Sequence, residues 1–218
     1  MTLYGSPVSP YVARVLLAIR YKGLKIPLAD APGGSLKSPA YLAINPYGKM
    51  PALDADGGHV IESEIICEYL DERFPEKSIL PGDALARARA RTISRALDLY
   101  VLPGLLGLLG QMNPVTRDQP LVDRNMADIR KGLDGLEFLL VGPWAAGPQL
   151  TLADCTLVPT CFYLERFLPV FGSIDAFAGH PRMAAVWAVA KADPLVAGLL
   201  DEMGTGLDAF MRRRPANS

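Results

Sequence analysis

Along the first 80 residues the apolar positions switch repeatedly between two periods; beyond them only one survives. "TLYG" has the short alternation of a strand. In "SPYVARVLLAIRYKG", Val12, Val15, Leu16 and Ile19 recur at helical spacing, and Gly23 closes the run. "KIPLA" predicts a second short strand, and "APGGSLKSPAYLAI" a loop with a weak helix. Alternation returns in Ala52-Leu53-Asp54 and His59-Val60-Ile61, around the turn "DADGG", where Gly57 and Gly58 permit positive φ. The helix "SEIICEYLDERF" follows and stops before Pro75. The predicted order is βαβαββα.

"PEKSILPGDA" is rich in turn residues, and past it the strand signals vanish. "ALARARARTISRALDLYVLPGLLGLLGQ" predicts a long helix bent at Pro103. A second long helix carries Leu121, Ile129, Leu133, Leu136 and Leu140 along one side, and "LTLADCTLVPTCFYLERF" and two shorter helices complete the chain. An α/β part followed by an all-α part implies two domains, here residues 1–77 and 85–218 joined by a linker at 78–84.

With 218 residues, half of them apolar, the chain can bury a substantial core. A net charge of −1 points away from nucleic acid and anionic membranes as partners. The short basic run "MRRRP" reads as a solvated terminus. "MTLYGSPVSP" lacks the basic start and long apolar run of a secretory signal. "VLPGLLGLLG" is too short for a membrane span and is interrupted by Pro103 and three glycines. Cys67, Cys155 and Cys161 have no metal-like spacing and lie in apolar helical contexts, as buried reduced thiols do. A cytoplasmic location and no metal are expected.

The candidate chemistry begins at Ser9-Pro10, a helix start with Ser at the N-cap and Pro at N1. A hydroxyl beside unpaired N–H groups at the positive end of a helix also suits an anion, and a thiolate in particular. Ser6 is a rival hydroxyl in the strand-exit loop. A hydrolase triad is disfavoured: His59 and His180 are the only histidines, and there is no G-x-S-x-G elbow. Pro51 stands at the mouth of a strand, where it removes a ladder donor. A cis Met50-Pro51 bond would turn the Met50 backbone outward, toward an extended peptide-like ligand. Ser63, opening the next helix, suits a carboxylate; Glu62 beside it suits an ammonium. Those two charges on one carbon describe an amino-acid headgroup. Lys49 suits a second carboxylate. Thr151-x-x-Asp154, with Leu150 and Cys155, has the pattern of a capping box with a hydrophobic staple, a folding feature. An amino-acid end, a peptide-like middle and a thiol that becomes anionic together describe glutathione.

"LYGSPVSPYVARVLLA", "NPYGKMPAL", "ESEIICEYLDERFP" and "GPQLTLADCTLVP" follow one another along essentially the whole chain, which resembles a cytosolic glutathione S-transferase of the serine type. The resemblance implies a thioredoxin-like first domain and an all-helical second one. By it, Ser9 matches the hydroxyl that donates to the glutathione thiolate, and Pro51 the family's cis-proline. Met50 would pair with the cysteinyl unit, Glu62 and Ser63 would hold the γ-glutamyl end, and Lys49 would contact glutathione. In motif the chain is most similar to tau-, omega- and zeta-like bacterial members. Omega-like members carry Cys where this chain has Ser9, and zeta-like members a double serine where it has "SPY".

The implied activity is attack of an activated thiolate on a small hydrophobic electrophile. Maleylacetoacetate-type isomerisation and glutathione-dependent ether cleavage are alternatives, and a non-catalytic binding or interaction module is one of another class. From topology, Tyr11, Tyr100, Leu108, Met112, Phe162 and Arg166 are expected around the electrophile. The row Arg87, Arg91 and Arg95 reads as a solvated basic face. The resemblance also implies a homodimer.

Overall fold

The computed structural model describes residues 1–213, so the basic run at the C-terminus extends outside the described residues. A mixed sheet in the order β2-β1-β3-β4 forms from β1 (Thr2–Tyr4), β2 (Leu28–Ala29), β3 (Ala52–Ala55) and β4 (Gly58–Ile61). β2 runs parallel to β1, while β1–β3 and β3–β4 are antiparallel. Parallel pairing of β1 with β2 demands a crossover, which α1 (Pro10–Tyr21) provides. The short α2 (Pro39–Leu42) precedes the hairpin, and α3 (Ser63–Arg73) follows it. The expected order βαβαββα is thus present.

The register decides where chemistry can gather. Tyr4 at the end of β1 pairs with Ala52 at the start of β3, and Ala52 pairs with Ile61 at the end of β4. The loop leaving β1, the residues entering β3 and the residues leaving β4 therefore emerge at one end of the sheet. α1 buries Val12, Val15, Leu16, Leu17 and Ile19, and packs on α3. The fully buried Leu3, Leu53, Ile66 and Leu70 complete this core.

The chain divides into two compact units: Met1–Ile79 together with the closing helix α9 (Pro194–Arg213), and Leu80–Asp193. α9 packs on α1 and buries Val196, Leu199, Met203 and Leu207. The second unit is helical: α4 (Ala84–Ala96), a π-helical turn (Leu97–Val101), α5 (Leu102–Leu109), α6 (Gln119–Leu139), α7 (Leu152–Phe167) and α8 (Pro181–Ala192). The irregularity expected at Pro103 takes the form of the π turn, in which Leu102 N–H reaches back to Leu97 C=O. Proline has no N–H and its ring crowds the carbonyl four residues earlier, so the ladder widens there instead of breaking. The unbroken run Ala84–Leu109 then has, over 26 residues, the length and hydropathy to cross a bilayer. The sequence predicts this same stretch as one long helix, whose most apolar part, "VLPGLLGLLG", is by itself too short for a span. In the fold, Leu97, Val101, Leu102, Leu105 and Leu108 of this run are buried within the helical unit, while Leu99, Tyr100 and Leu106 are exposed.

Thr151 caps α7, as its sequence suggests. The Asp154 carboxylate accepts from Thr151 N–H at 2.8 Å, Thr151 Oγ1 at 2.9 Å and Ala145 N–H at 2.8 Å. Burial pushes Asp154 up to about 6 against those hydrogen bonds. All three cysteines are free and buried. Burial pushes Cys67 up to about 12 and Cys161 well above the ordinary thiol range, so neither is a thiolate at neutral pH.

Candidate functional site

The site lies where three chain segments meet at that single end of the sheet. Gly5 leaves β1 with φ 157°, and a Cβ there would lie 2.5 Å from Val12 Cγ2, so only glycine lets the loop pass so close to α1. The loop ends at Ser9, the N-cap of α1, followed by Pro10. Ser9 sits at the expected position, but its side chain makes no capping hydrogen bond. The hydroxyl is therefore not consumed by the helix. Ser9 N–H donates to Ser6 C=O at 3.0 Å, which ties Ser6 into the turn that delivers Ser9. Pro10 has no N–H to contribute, and the first turn of α1 carries no acidic residue, so the positive end of its dipole is not neutralised from within.

The second segment enters β3. The Met50–Pro51 bond is cis. Met50 precedes the first ladder pair, and its N–H and C=O have no backbone partner among the described residues. Lys49 beside it is exposed.

The third segment leaves β4. Glu62 is the exposed N-cap of α3 and adopts φ 66°, unusual for a residue with a side chain. Ser63 opens the helix and is 5% exposed. The N-termini of α1 and α3 thus lie at the same sheet end, each presenting backbone N–H groups. Ser9, Met50, Pro51, Glu62, Ser63 and Lys49 all fall in these three segments. His59 does not: it pairs with Asp54 toward the other end of the hairpin, its Nδ1 3.3 Å from the carboxylate, and offers no base to Ser9.

Two features escaped the sequence reading. Arg14, one turn into α1, is only 2% exposed, and its Nη1 lies 3.9 Å from Glu64 Oε2 in the first turn of α3. A buried guanidinium thereby links the two helix starts. An arginine amid the apolar run "VARVLLAI" is the signal that marks it. The other is Tyr41 and Asn45, both buried, which meet at the Lys49 carbonyl.

The residues expected around an electrophile fall in both units. Tyr11, half-buried, lies 5.6 Å from the Arg14 guanidinium. In the helical unit, Leu108 and Phe162 are buried core residues, and Arg166 lies 4.8 Å over the Phe162 ring. Met112 is half-buried just after α5. Tyr100, 62% exposed, belongs to the π turn and lines a cleft of about 460 Å³ with Leu99, Pro103, Lys131 and Gly135. Arg87 and Arg95 are exposed and Arg91 half-buried along α4.

The chain matches the family model described as "Glutathione S-transferase, N-terminal domain" over residues 3–78 and the one described as "Glutathione S-transferase, C-terminal domain" over residues 119–186. It is 34% identical over 224 aligned positions to a protein of Pseudomonas aeruginosa named maleylacetoacetate isomerase, spanning 98% of this chain and 94% of that one. Among solved structures it is similar to a glutathione transferase from Populus trichocarpa, with TM-score 0.79, 27% identity, and coverage of 93% and 98% of the two chains. It is also similar to a maleyl pyruvate isomerase described as a bacterial glutathione S-transferase of the zeta class, with TM-score 0.75, 27% identity, and coverage of 91% and 96%.

Proposed function

The chain belongs to the glutathione S-transferase family, and from that premise we propose that it holds glutathione at this sheet end and uses the sulfur as a nucleophile toward a small hydrophobic electrophile. The observation that carries the reading is Ser9, a hydroxyl at a helix N-terminus left uncommitted by its own helix. Ser9 donates a hydrogen bond to the sulfur, and the α1 dipole favours its anionic form. Each unit by which the thiol pKa falls corresponds to about 1.4 kcal/mol.

Met50 fits a peptide ligand because its N–H and C=O are unused by the sheet. The N–H groups opening α3 and the Ser63 hydroxyl take a carboxylate, the Glu62 carboxylate takes an ammonium, and Lys49 takes the distal carboxylate. Glutathione, when bound, supplies a sulfur nucleophile that is consumed in conjugation and returned in isomerisation. Serine stays unmodified throughout and forms no mixed disulfide. Residues 1–77 carry glutathione in this reading, and residues 85–218, past the linker at 78–84, carry the electrophile wall and the contacts of a homodimer. A cytoplasmic enzyme is the matching context.

Isomerisation is the second reading. It is favoured by the likeness over almost the whole chain to a protein named maleylacetoacetate isomerase. Both readings need the same activated sulfur, so one experiment tests their common step. Thiolate absorbance of bound glutathione is titrated against pH for the wild type and Ser9→Ala. Ionisation well below the free thiol value, lost in the variant, is expected. Binding without ionisation, or a variant that ionises glutathione like the wild type, overturns the assignment of Ser9. Turnover of a chlorodinitrobenzene against isomerisation of maleylacetoacetate then separates the two readings.

A further inference from the structure

We propose that Tyr41 and Asn45 are positioning residues that aim the Met50 N–H at the peptide ligand by holding the Lys49 carbonyl from the opposite side. The inference rests on the glutathione reading and deepens it.

Tyr41 O–H donates to Lys49 C=O at 2.6 Å, and Asn45 Nδ2 donates to the same oxygen at 2.8 Å. Both lone pairs of that carbonyl are thereby engaged. The Lys49 carbonyl and the Met50 N–H belong to one peptide plane. That bond is trans, since the cis bond is the following one, so C=O and N–H point in opposite directions. Drawing the carbonyl toward the protein interior therefore turns the Met50 N–H away from it, where no backbone acceptor among the described residues meets it.

The two donors are held firmly. The Tyr41 ring is fully buried and meets Tyr4 of β1 edge-on, with centroids 6.4 Å apart. Ser38 caps its short helix by accepting from Tyr41 N–H at 3.1 Å. Burial raises the Tyr41 phenol above its usual value, which keeps it a donor at neutral pH. Asn45 is 1% exposed, and each of its polar groups is used. Its N–H donates to Tyr41 C=O at 2.9 Å, Oδ1 accepts from Tyr47 N–H at 3.0 Å, and its C=O accepts from Gly48 N–H at 3.0 Å. Gly48, at φ 58°, has Leu36 C=O 3.0 Å from where a Cβ would be, so the loop closes tightly around Asn45. Buried side chains with satisfied hydrogen bonds keep one orientation, and a ligand then loses less freedom in meeting the amide.

The test is Tyr41→Phe, which removes one hydrogen bond and keeps the buried ring. Asn45→Asp is its partner: it removes the donor and keeps the Oδ1 acceptor. Glutathione binding is measured by calorimetry, with thiolate titration, the KM-against-kcat split and thermal unfolding alongside. Tyr41→Phe should raise Kd and KM for glutathione about five- to tenfold, the worth of one hydrogen bond. It should leave kcat at saturating glutathione and the bound thiol's ionisation unchanged, because Ser9 and α1 are untouched. Asn45→Asp should move affinity in the same direction. Wild-type affinity in both variants overturns the inference. So does an affinity loss matched by a large fall in melting temperature and by loss of thiol ionisation, which marks a purely structural role. The wild type is titrated first: if it does not bind glutathione, the functional reading fails before the variants are compared, and the inference falls with it.

Discussion

The ammonium of Lys22 at the end of α1 is completely buried and lies 2.7 Å from Asp71 Oδ1 near the end of α3. Asp71 also accepts from Ser78 Oγ at 2.6 Å and Ile79 N–H at 2.9 Å. Lys22 makes two longer contacts, at 3.4 Å, with the carbonyls of Glu76 and Lys77. At an effective dielectric of about 20, two unit charges at this separation attract by about 6 kcal/mol before desolvation, which costs several kcal/mol for each ion. The pair is nearly neutral as a whole; either half alone is not. Lys22→Met leaves Asp71 with two of its three donors and should cost about 3 kcal/mol, the lower end of the range for a broken buried pair. Asp71→Leu strands the ammonium and releases Ser78 and Ile79, so it should cost about 5 kcal/mol. The double variant should be no worse than Asp71→Leu alone, a coupling of about 3 kcal/mol. Both tryptophans, Trp144 and Trp187, lie in the helical unit, so urea unfolding is to be followed by circular dichroism. The acid limb gives a second readout. Burial pushes Asp71 up, but the hydrogen bonds from Lys22, Ser78 and Ile79 outweigh it and hold its carboxyl below the ordinary value. A depressed carboxyl contributes stability that is present above the unfolded pKa, about 4, and is lost as pH falls through the folded one. Lys22→Met should shrink that loss. A coupling below about 0.5 kcal/mol, or a milder effect of Asp71→Leu than of Lys22→Met, refutes the reasoning.

Three further perturbations have signs set by the structure. Gly132→Ala and Gly135→Ala, three residues apart on α6, should act oppositely. A Cβ at 132 would lie 2.5 Å from Tyr100 C=O, while one at 135 meets nothing within 4 Å. The first should lose about 1–3 kcal/mol by overpacking, and the second gain up to about 1 kcal/mol from helix propensity, both read by tryptophan fluorescence in urea. Asp154, raised to about 6, binds its proton more tightly in the native state than in the unfolded chain. Stability should therefore be greatest below about pH 4 for this group and fall, by at most about 3 kcal/mol, as pH rises through about 6. Urea midpoints of Asp154→Asn should lack that slope; equal slopes in the two proteins would count against it. Glu62→Gly relieves a positive φ worth about 1 kcal/mol, so its melting temperature should hold or rise while glutathione Kd increases. A fall in melting temperature with unchanged affinity contradicts both halves.

What the sequence disclosed and what it hid divide along one physical line. Ser9-Pro10, Met50-Pro51 and Glu62-Ser63 were legible because each is a local event: a helix start, a proline at a strand mouth, a second helix start. Local chemistry also revealed the hairpin, the α7 cap and the order of elements. The strand directions then do the assembling, since the Tyr4–Ala52 and Ala52–Ile61 pairings bring those three events to one sheet end. What stayed hidden depends on partners distant in sequence. Lys22 looks like any residue in a helix's last turn until Asp71, 49 positions away, lies against it. "PEKSILPGDA" reads as a turn-rich linker, and nothing in it shows that Ile79 is fully buried with its N–H tied to Asp71. Arg14 shows as a charge inside an apolar run, but its meaning needs Glu64 on another helix. Asn45 is the instructive middle case. Its bonds to Tyr41, Tyr47, Gly48 and Lys49 span four positions either way, so they are local. They were illegible because an asparagine before a proline already has a sufficient explanation as a turn residue. In this fold the turn and the aiming of Met50 are the same set of hydrogen bonds, so a residue that looks like punctuation also sets the direction of a binding group.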